Sequence, residues 1–288
     1  MKKVLSIGEV LWDVFPTYKK PGGSPANLAY HLHCFGNQTI FASRVGTDVN
    51  GNELLSFLAD KGFSTSHIQT DQNQPTGTVT VSFTDGEPSY VIHGPAAWDF
   101  IEYTDALKSE AANLDAICFA SLSQRSEKTA ETLQKLLNDV PDSCLKVFDL
   151  NLRPPFTKPE IIIEQIMIAD VVKFNEDEFE QAKTWFKTDQ PASYLLAEDP
   201  GKTILRTLGE HGSEMITASG TFQEESYPIS GKGDFVGVGD AFLACFTHLK
   251  LREEPADKIL SKSNRYAAAV ASQRGGMPKI HSSILEFI

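Results

Sequence analysis

The segment that decides the fold runs from Leu145 to Lys187, LKVFDLNLRPPFTKPEIIIEQIMIADVVKFNEDEFEQAKTWFK. It holds two short apolar runs, Leu145–Leu150 and Val171–Phe174, each too short for a helix. Amphipathic stretches at helical spacing follow them at 159–168 and 176–187. Strand, helix, strand, helix in this rhythm predicts parallel strands joined by crossover helices. Working outward, Val4–Gly8, Thr39–Val45, Ala116–Phe119, Thr203–Leu208 and Glu214–Thr217 read as further strands. Helical patterns fall at about 26–35, 50–61, 126–138, 240–250 and 256–273. The pattern predicts an α/β fold in three αβα layers, with a mostly parallel central sheet covered on both faces.

One region breaks the alternation. Thr76–Phe83 and Pro88–His93 are strand-like and joined through Asp85-Gly86, a hairpin signal. With residues near Leu11–Phe15 they predict a small antiparallel β lid, with segments at about 10–22 and 75–98, attached to a single domain spanning 1–288. Two to four strands bury little by themselves, so the lid is expected to cover a site, to pair with another subunit, or both. Val79, Val81, Phe83 and Val91 supply apolar surface for a homodimer through the lid.

The chain has 288 residues, 41% hydrophobic and 22% charged, an ordinary globular balance. Its 26 Lys and Arg against 38 Asp and Glu leave a net charge of −12, which argues against nucleic acid as a partner. Backbone amides can still hold phosphate locally. Cys34, Cys118, Cys144 and Cys245 lie far apart and form no CxxC pair, so they read as reduced thiols. Glu9 and Asp13 interrupt the apolar N-terminus before it reaches signal-peptide length, and no run is long enough to span a membrane. A cytoplasmic protein is expected.

Chemistry concentrates in five segments. Gly22-Gly23-Ser24-Pro25-Ala26-Asn27 precedes a helical pattern: the glycines allow close approach of a ligand, and Asn27 offers a donor and an acceptor to a polyhydroxy molecule. It reads equally as a turn before an ordinary helix. Asp234-Phe235-Val236-Gly237-Val238-Gly239-Asp240 is more specific. The turn at Gly237, Val238 and Gly239 can aim amides at an anion, which would put Asp240 within reach of a hydroxyl attacking a phosphoryl group. As a first-turn acid, Asp240 would also suit a helix dipole alone. Asn175-Glu176-Asp177-Glu178 ends a strand, and reads either as a capping box or as an acidic cluster placing Mg²⁺ beside a nucleotide. Thr207–Ser213 is a glycine-containing turn with Gly209 and Gly212. Asn151 and Arg153 end another strand, where Arg153 reads as a phosphate or substrate clamp or as a surface ion-pair partner. No GxGxxG follows the first strand, which argues against a dinucleotide-binding enzyme.

These segments, in this order, resemble the ribokinase-like (PfkB) carbohydrate kinase family. Asn27, Ala29, Gly36 and Gly46 are in step with its N-terminal signature, and Gly237–Phe242 with its C-terminal one, usually DTxGAGDAF. Asn175-x-x-Glu178 is similar to its Mg²⁺/phosphate motif, and Thr207-Leu208-Gly209 to its nucleotide turn. The match runs from Gly8 to about Pro278. The resemblance implies a sugar between sheet and lid, bound by Asp13, Gly23 and Asn27, and ATP along the C-terminal half. Asp240 matches the general base and the amides of Gly237, Val238 and Gly239 the anion hole. Asn264, Ala267, Ala268 and Ala271 resemble the helix lining the adenine pocket. Glu9–Asp13, Ala97-Trp98-Asp99 and Asp149-x-Asn151-x-Arg153 look most like the fructokinase branch. The implied activity is ATP- and Mg²⁺-dependent phosphorylation of D-fructose, with another sugar, a sugar acid or a nucleoside as alternative substrates. A sensing protein that kept the fold is a further alternative. Phe235 and Val236 stand where the family has a threonine pair, and Val238 where it has a small alanine. The anion-binding amides survive these changes, but a monovalent-cation (K⁺) site near Asp234 loses side-chain oxygens.

Overall fold

The computed structural model describes residues 1–84, 87–229 and 233–288, so the Asp85-Gly86 turn lies outside the described residues, as does the side chain of Phe83. In chain order, β1 (Lys3–Ile7), β2 (Leu11–Val14) and β3 (Lys19–Gly22) lead to α1 (Ser24–Cys34), β4 (Gln38–Gly46), α2 (Val49–Asp60) and β5 (Ile68–Asp71). Next come β6 (Gly77–Thr84), β7 (Glu87–Ile92), α3 (Asp105–Ala111), β8 (Ala116–Ala120), α4 (Glu127–Asp139), β9 (Leu145–Asp149) and α5 (Pro159–Ile168). The chain continues through β10 (Val171–Asn175), α6 (Glu176–Phe186), α7 (Pro191–Glu198), β11 (Thr203–Thr207), β12 (Ser213–Thr217) and β13 (Gly220–Glu224). It closes with α8 (Val238–Lys250), α9 (Ala256–Ala271) and the short α10 (Ser282–Leu285).

Among the described residues the main sheet has nine strands, ordered β13-β12-β11-β10-β9-β8-β1-β4-β5. The strands run parallel from β5 to β11, and β12 and β13 turn antiparallel at one edge. The central strands are apolar on both faces because helices cover both. Leu5, Ile117, Phe119, Phe148, Val172 and Phe174 pack on one face. On the other, Val4, Cys118, Val147, Val171 and Leu205 pack with residues of α1, α8 and α9. Strand side chains alternate between faces, so Lys173, two residues after Val171, lies on the α8 face, and it is buried there. All four cysteines are free thiols.

The lid is a second sheet, ordered β3-β2-β6-β7. Its two outer pairings are antiparallel, as the sequence predicts, but β2 and β6 run parallel, with Leu11 beside Gly77 and Asp13 beside Val79. The reason is topological. β2 continues from β1 and β6 follows β5, strands that already run the same way. Part of the lid's apolar surface is spent inside the chain, where Val79 and Val81 are buried with Leu11 against Phe15 and Ile92. Tyr90 and Val91 stay exposed.

At the root of the lid, Arg125 forks onto Asp99 with two 2.7 Å contacts and stacks 3.9 Å from the Trp98 ring. A bidentate pair of this kind adds direction as well as strength. Gly77 passes directly over Trp98, leaving no room for a Cβ. Among the described residues, no helix is long and apolar enough to cross a membrane.

Candidate active site

Several predicted site residues follow the carboxyl ends of parallel strands, Asn151 after β9, Asn175 ending β10 and Thr207 ending β11, where open α/β sheets hold their ligands; Asp13 lies in the lid, and Asn264 and Ala268 lie on α9. α8 starts abruptly because Gly237 takes a left-handed conformation (φ 73°) as its N-cap. The first bond of that helix runs from the Ala241 amide to the Gly237 carbonyl at 2.9 Å. The amides of Gly237, Val238 and Gly239 therefore precede the intrahelical ladder and can take an anion. Asp240, buried at 8% exposure, turns its carboxylate toward α1. Its Oδ1 accepts from Ser24 Oγ at 2.6 Å and its Oδ2 from Asn27 Nδ2 at 2.8 Å. Burial and the neighbouring Asp149 push its proton affinity up, while Ser24, Asn27 and Lys173 pull it down. Asn27 is thus engaged with Asp240, and its Oδ1 is buried without a partner.

Two residues that the sequence reading passed over complete the floor. Lys173 of β10 donates to Asp149 Oδ1 at 2.9 Å. Its ammonium lies 3.6 Å from where a Gly239 Cβ would stand, directly below the anion loop. Asp149, Glu178 and Asp240 all raise its affinity for its proton against the desolvation that opposes it. A lysine inside an otherwise apolar strand is the signal that could have found it, because buried lysines need partners. Glu9 is the second. It is 2% exposed, burial raises its pKa to about 7, and one carboxylate oxygen has no partner. The charges of Arg153 and Asp240 act on it in opposite senses.

Asp13 sits on the lid face that carries Lys20, with its pKa raised by burial to about 6 against the pull of Lys20 and Arg153. A Cβ at residue 22 would collide with the Asp13 carboxylate, and one at Gly23 with the Glu9 carbonyl. The glycine pair is therefore required by the packing of strand, lid and helix. Asn151 holds a positive φ of 40°, and Arg153 projects to the surface with Nη1 on the Leu152 carbonyl.

Asn175 and Glu178 form the capping box, each side chain bonding the other's amide at 2.8 Å. The second Glu178 oxygen accepts from the Leu152 amide at 2.9 Å, which ties α6 to the Asn151–Arg153 turn. Thr207 stands beside Asn175 in register. Gly212 is forced by space, since a Cβ there would strike the Glu224 carbonyl. Asn264 donates to the carbonyls of Glu224 and Glu225, so α9 and Ala268 on it are anchored at the end of β13. Among the described residues, no three His, Cys, Asp or Glu side chains converge to hold a metal. Asp234, beside which the resemblance leaves a monovalent-cation site open, already has partners of its own. Lys20 Nζ lies 2.8 Å from its Oδ2, and the Gly275 amide lies 3.0 and 3.2 Å from its two oxygens.

A family model described as pfkB family carbohydrate kinase matches residues 1–282. The chain is 27% identical to the fructokinase of Vibrio alginolyticus, over all of this chain and 99% of that one. Its fold superposes on the fructokinase of Xylella fastidiosa with bound ATP at a TM-score of 0.88 and 21% identity, covering 99% and 97% of the two chains. It also superposes on a double mutant of the Vibrio cholerae O395 fructokinase holding fructose, ADP and potassium ion, at 0.82 and 21% identity, covering 100% and 98%.

Glu9 gives this site a signature readable without any ligand. In the folded chain it keeps its proton up to about pH 7, whereas its ordinary value is 4.5. Folding thus carries no penalty from Glu9 below pH 4.5, loses stability between 4.5 and about 7 as only the unfolded chain ionises, and levels off above. Glu9→Gln is neutral at every pH in this range and so removes the titration. Its stability relative to wild type is expected to rise by about 3 kcal/mol between about pH 4 and pH 8, by denaturant unfolding. A difference that stays flat across that range contradicts the assignment.

Proposed function

The chain belongs to the pfkB family of carbohydrate kinases, and from that premise we propose that it transfers the γ-phosphoryl group of ATP to the C6 hydroxyl of D-fructose. Sugar kinase is the class of enzyme; fructose and the roles of individual residues are the proposal. The observation that carries the mechanism is the Asp240 carboxylate, held at both oxygens by α1 beside the amides that open α8. Fructose is favoured by the fructokinase relatives that span the chain from end to end.

In this reading the sugar lies between Asp13, Gly23 and Asn27, with Asn151 and Arg153 at its rim. Its hydroxyl gives a proton to Asp240 as the oxygen bonds to phosphorus and the bond from phosphorus to the ADP oxygen breaks. The amides of Gly237, Val238 and Gly239 receive the charge on the transferring group. A base near neutrality accepts a proton most effectively, and the raised affinity of Asp240 moves it that way. ATP would lie along Asn175, the Thr207–Gly212 turn, Asn264 and Ala268.

Both Glu178 oxygens already hold amides, so this donor set suits a hydrated Mg²⁺ carried on the phosphates and touched through water rather than a protein cage. The ion would supply charge neutralisation on the phosphates. The four free cysteines agree with a reducing compartment, the cytoplasm.

Three outcomes test the proposal. In a coupled assay, D-fructose is expected to show a higher kcat/KM than ribose, adenosine or 2-keto-3-deoxygluconate. A win for any of those three overturns the substrate but not the class. Asp240→Asn is expected to lose about 10² to 10⁴ in kcat while the Kd values for sugar and ATP stay near wild type. A variant keeping more than about a tenth of wild-type turnover, outside that range, puts the base elsewhere. Finally, Tyr90 and Val91, 61% and 51% exposed on the lid, are assigned to a homodimer. Sedimentation is expected to show a dimer at micromolar concentration, and a fully active monomer rules it out.

A further inference from the structure

Lys20 is the last-but-two residue of β3 and lies opposite Asp13 across the lid pairing. Its ammonium makes the 2.8 Å contact with Asp234 Oδ2, joining residues 214 apart in the chain. The contact is shielded: the two side chains are 26% and 30% exposed. The Phe15 and Tyr18 rings, stacked 4.5 Å apart, stand 5.8 and 5.7 Å from the ammonium. The lysine stem runs along Gly275, whose Cβ would lie 3.9 Å from Lys20 Cδ.

Asp234 in turn pins two backbone segments. Its carboxylate accepts from the amides of Val236, ahead of α8, and of Gly275, beyond α9, and its own amide donates to the Gln273 carbonyl. One carboxylate thus fixes the approach to the anion loop, and Lys20 fixes that carboxylate.

With Lys20 in place, a monovalent ion has no room at Asp234 Oδ2, because the ammonium already stands there at 2.8 Å. Taking the lysine away frees that oxygen for a cation. Arg274 shares the cleft formed by Tyr18, Lys20 and Asp234. The double mutant of the Vibrio cholerae O395 fructokinase was obtained with a potassium ion bound; at Asp234 this chain has an ammonium of its own.

We propose that Lys20 is a built-in cation, a positioning residue that holds Asp234 and the loop ahead of α8 in the place of a dissociable monovalent ion. The proposal rests on the sugar kinase reading for its kinetic arm only. Because Lys20 also faces Asp13, it ties the lid's sugar side to the phosphate side without an exchangeable part.

The test compares the full chain in about 0.1 M KCl and in the same concentration of tetramethylammonium chloride, so that screening is matched. Wild-type turnover is expected to agree within about threefold in the two salts, with an unmoved melting temperature, as for a protein that binds neither ion. Lys20→Met is expected to lose about tenfold or more in tetramethylammonium, the weight of a charge-assisted contact, and to regain at least about threefold in KCl. Its melting temperature is expected to rise in KCl. Lys20→Gln repeats the removal with a polar side chain, and Lys20→Arg keeps the charge and is expected to stay indifferent to K⁺. The melting arm uses no substrate, so it remains readable if the sugar kinase reading fails. Saturable activation of wild type by K⁺ beyond about threefold, the mark of a bound ion, overturns the proposal. So does a Lys20→Met chain as active as wild type without K⁺, or one equally slow in both salts with no change in melting temperature.

Discussion

The two hydrogen bonds that α1 makes to the Asp240 carboxylate organise everything around them. A carboxylate buried to this degree is costly unless its oxygens are satisfied, and here Ser24 and Asn27 satisfy one each. Asn27 can reach only because the chain is stripped of side chains around it. A Cβ at residue 237 would come within 3.3 Å of its amide nitrogen, and one at residue 276 within 2.4 Å of its amide oxygen. Those glycines belong to two different loops, so the placement of one acid draws together the start of α1, the start of α8 and the segment beyond α9.

The charge balance beneath that point is uneven. Lys173 is one ammonium among Asp149, Glu178 and Asp240, all buried. Among the described residues only Asp149 bonds it directly; Glu178 is spent on the amides of Leu152 and Asn175. The surplus of negative charge is one source of the raised proton affinity of Asp240. The amides that open α8 work against that surplus, presenting positive dipole ends to the same space. An anion arriving there meets fixed donors in front and a paired lysine behind them.

Much of this was legible in the residues, because the main elements are set by local signals. The apolar runs from Leu145 and Val171 and the amphipathic stretches after them fall where β9, α5, β10 and α6 lie. The Gly237–Asp240 turn is local too, and so is the capping box from Asn175 to Glu178. What stayed hidden depends on partners distant in sequence. Nothing near Lys20 announces Asp234, and nothing near Glu9 tells that its carboxylate is buried with an oxygen unpaired. Lys173 was visible as an anomaly but its three acids were not. The short β5 and β13, with α3 and α7, carry weak patterns because only part of each is buried. The parallel join at the centre of the lid follows from sheet topology, which no turn signal reports.

The span of the Asp240 contacts also sets an order of assembly during synthesis. Ser24 and Asn27 leave the ribosome 216 and 213 residues before the acid they hold. β1 finds β4 early, yet its other neighbour, β8, arrives more than a hundred positions later. The lid strands are therefore translated before much of the floor they cover exists. A nascent chain interrupted before α8 carries the lid strands and several unpaired sheet edges, but neither Asp240 nor the glycine turn that opens α8. Such a fragment is exposed to misassembly, and the buried cluster of Asp149, Lys173 and Asp240 closes only after the penultimate long helix has been made.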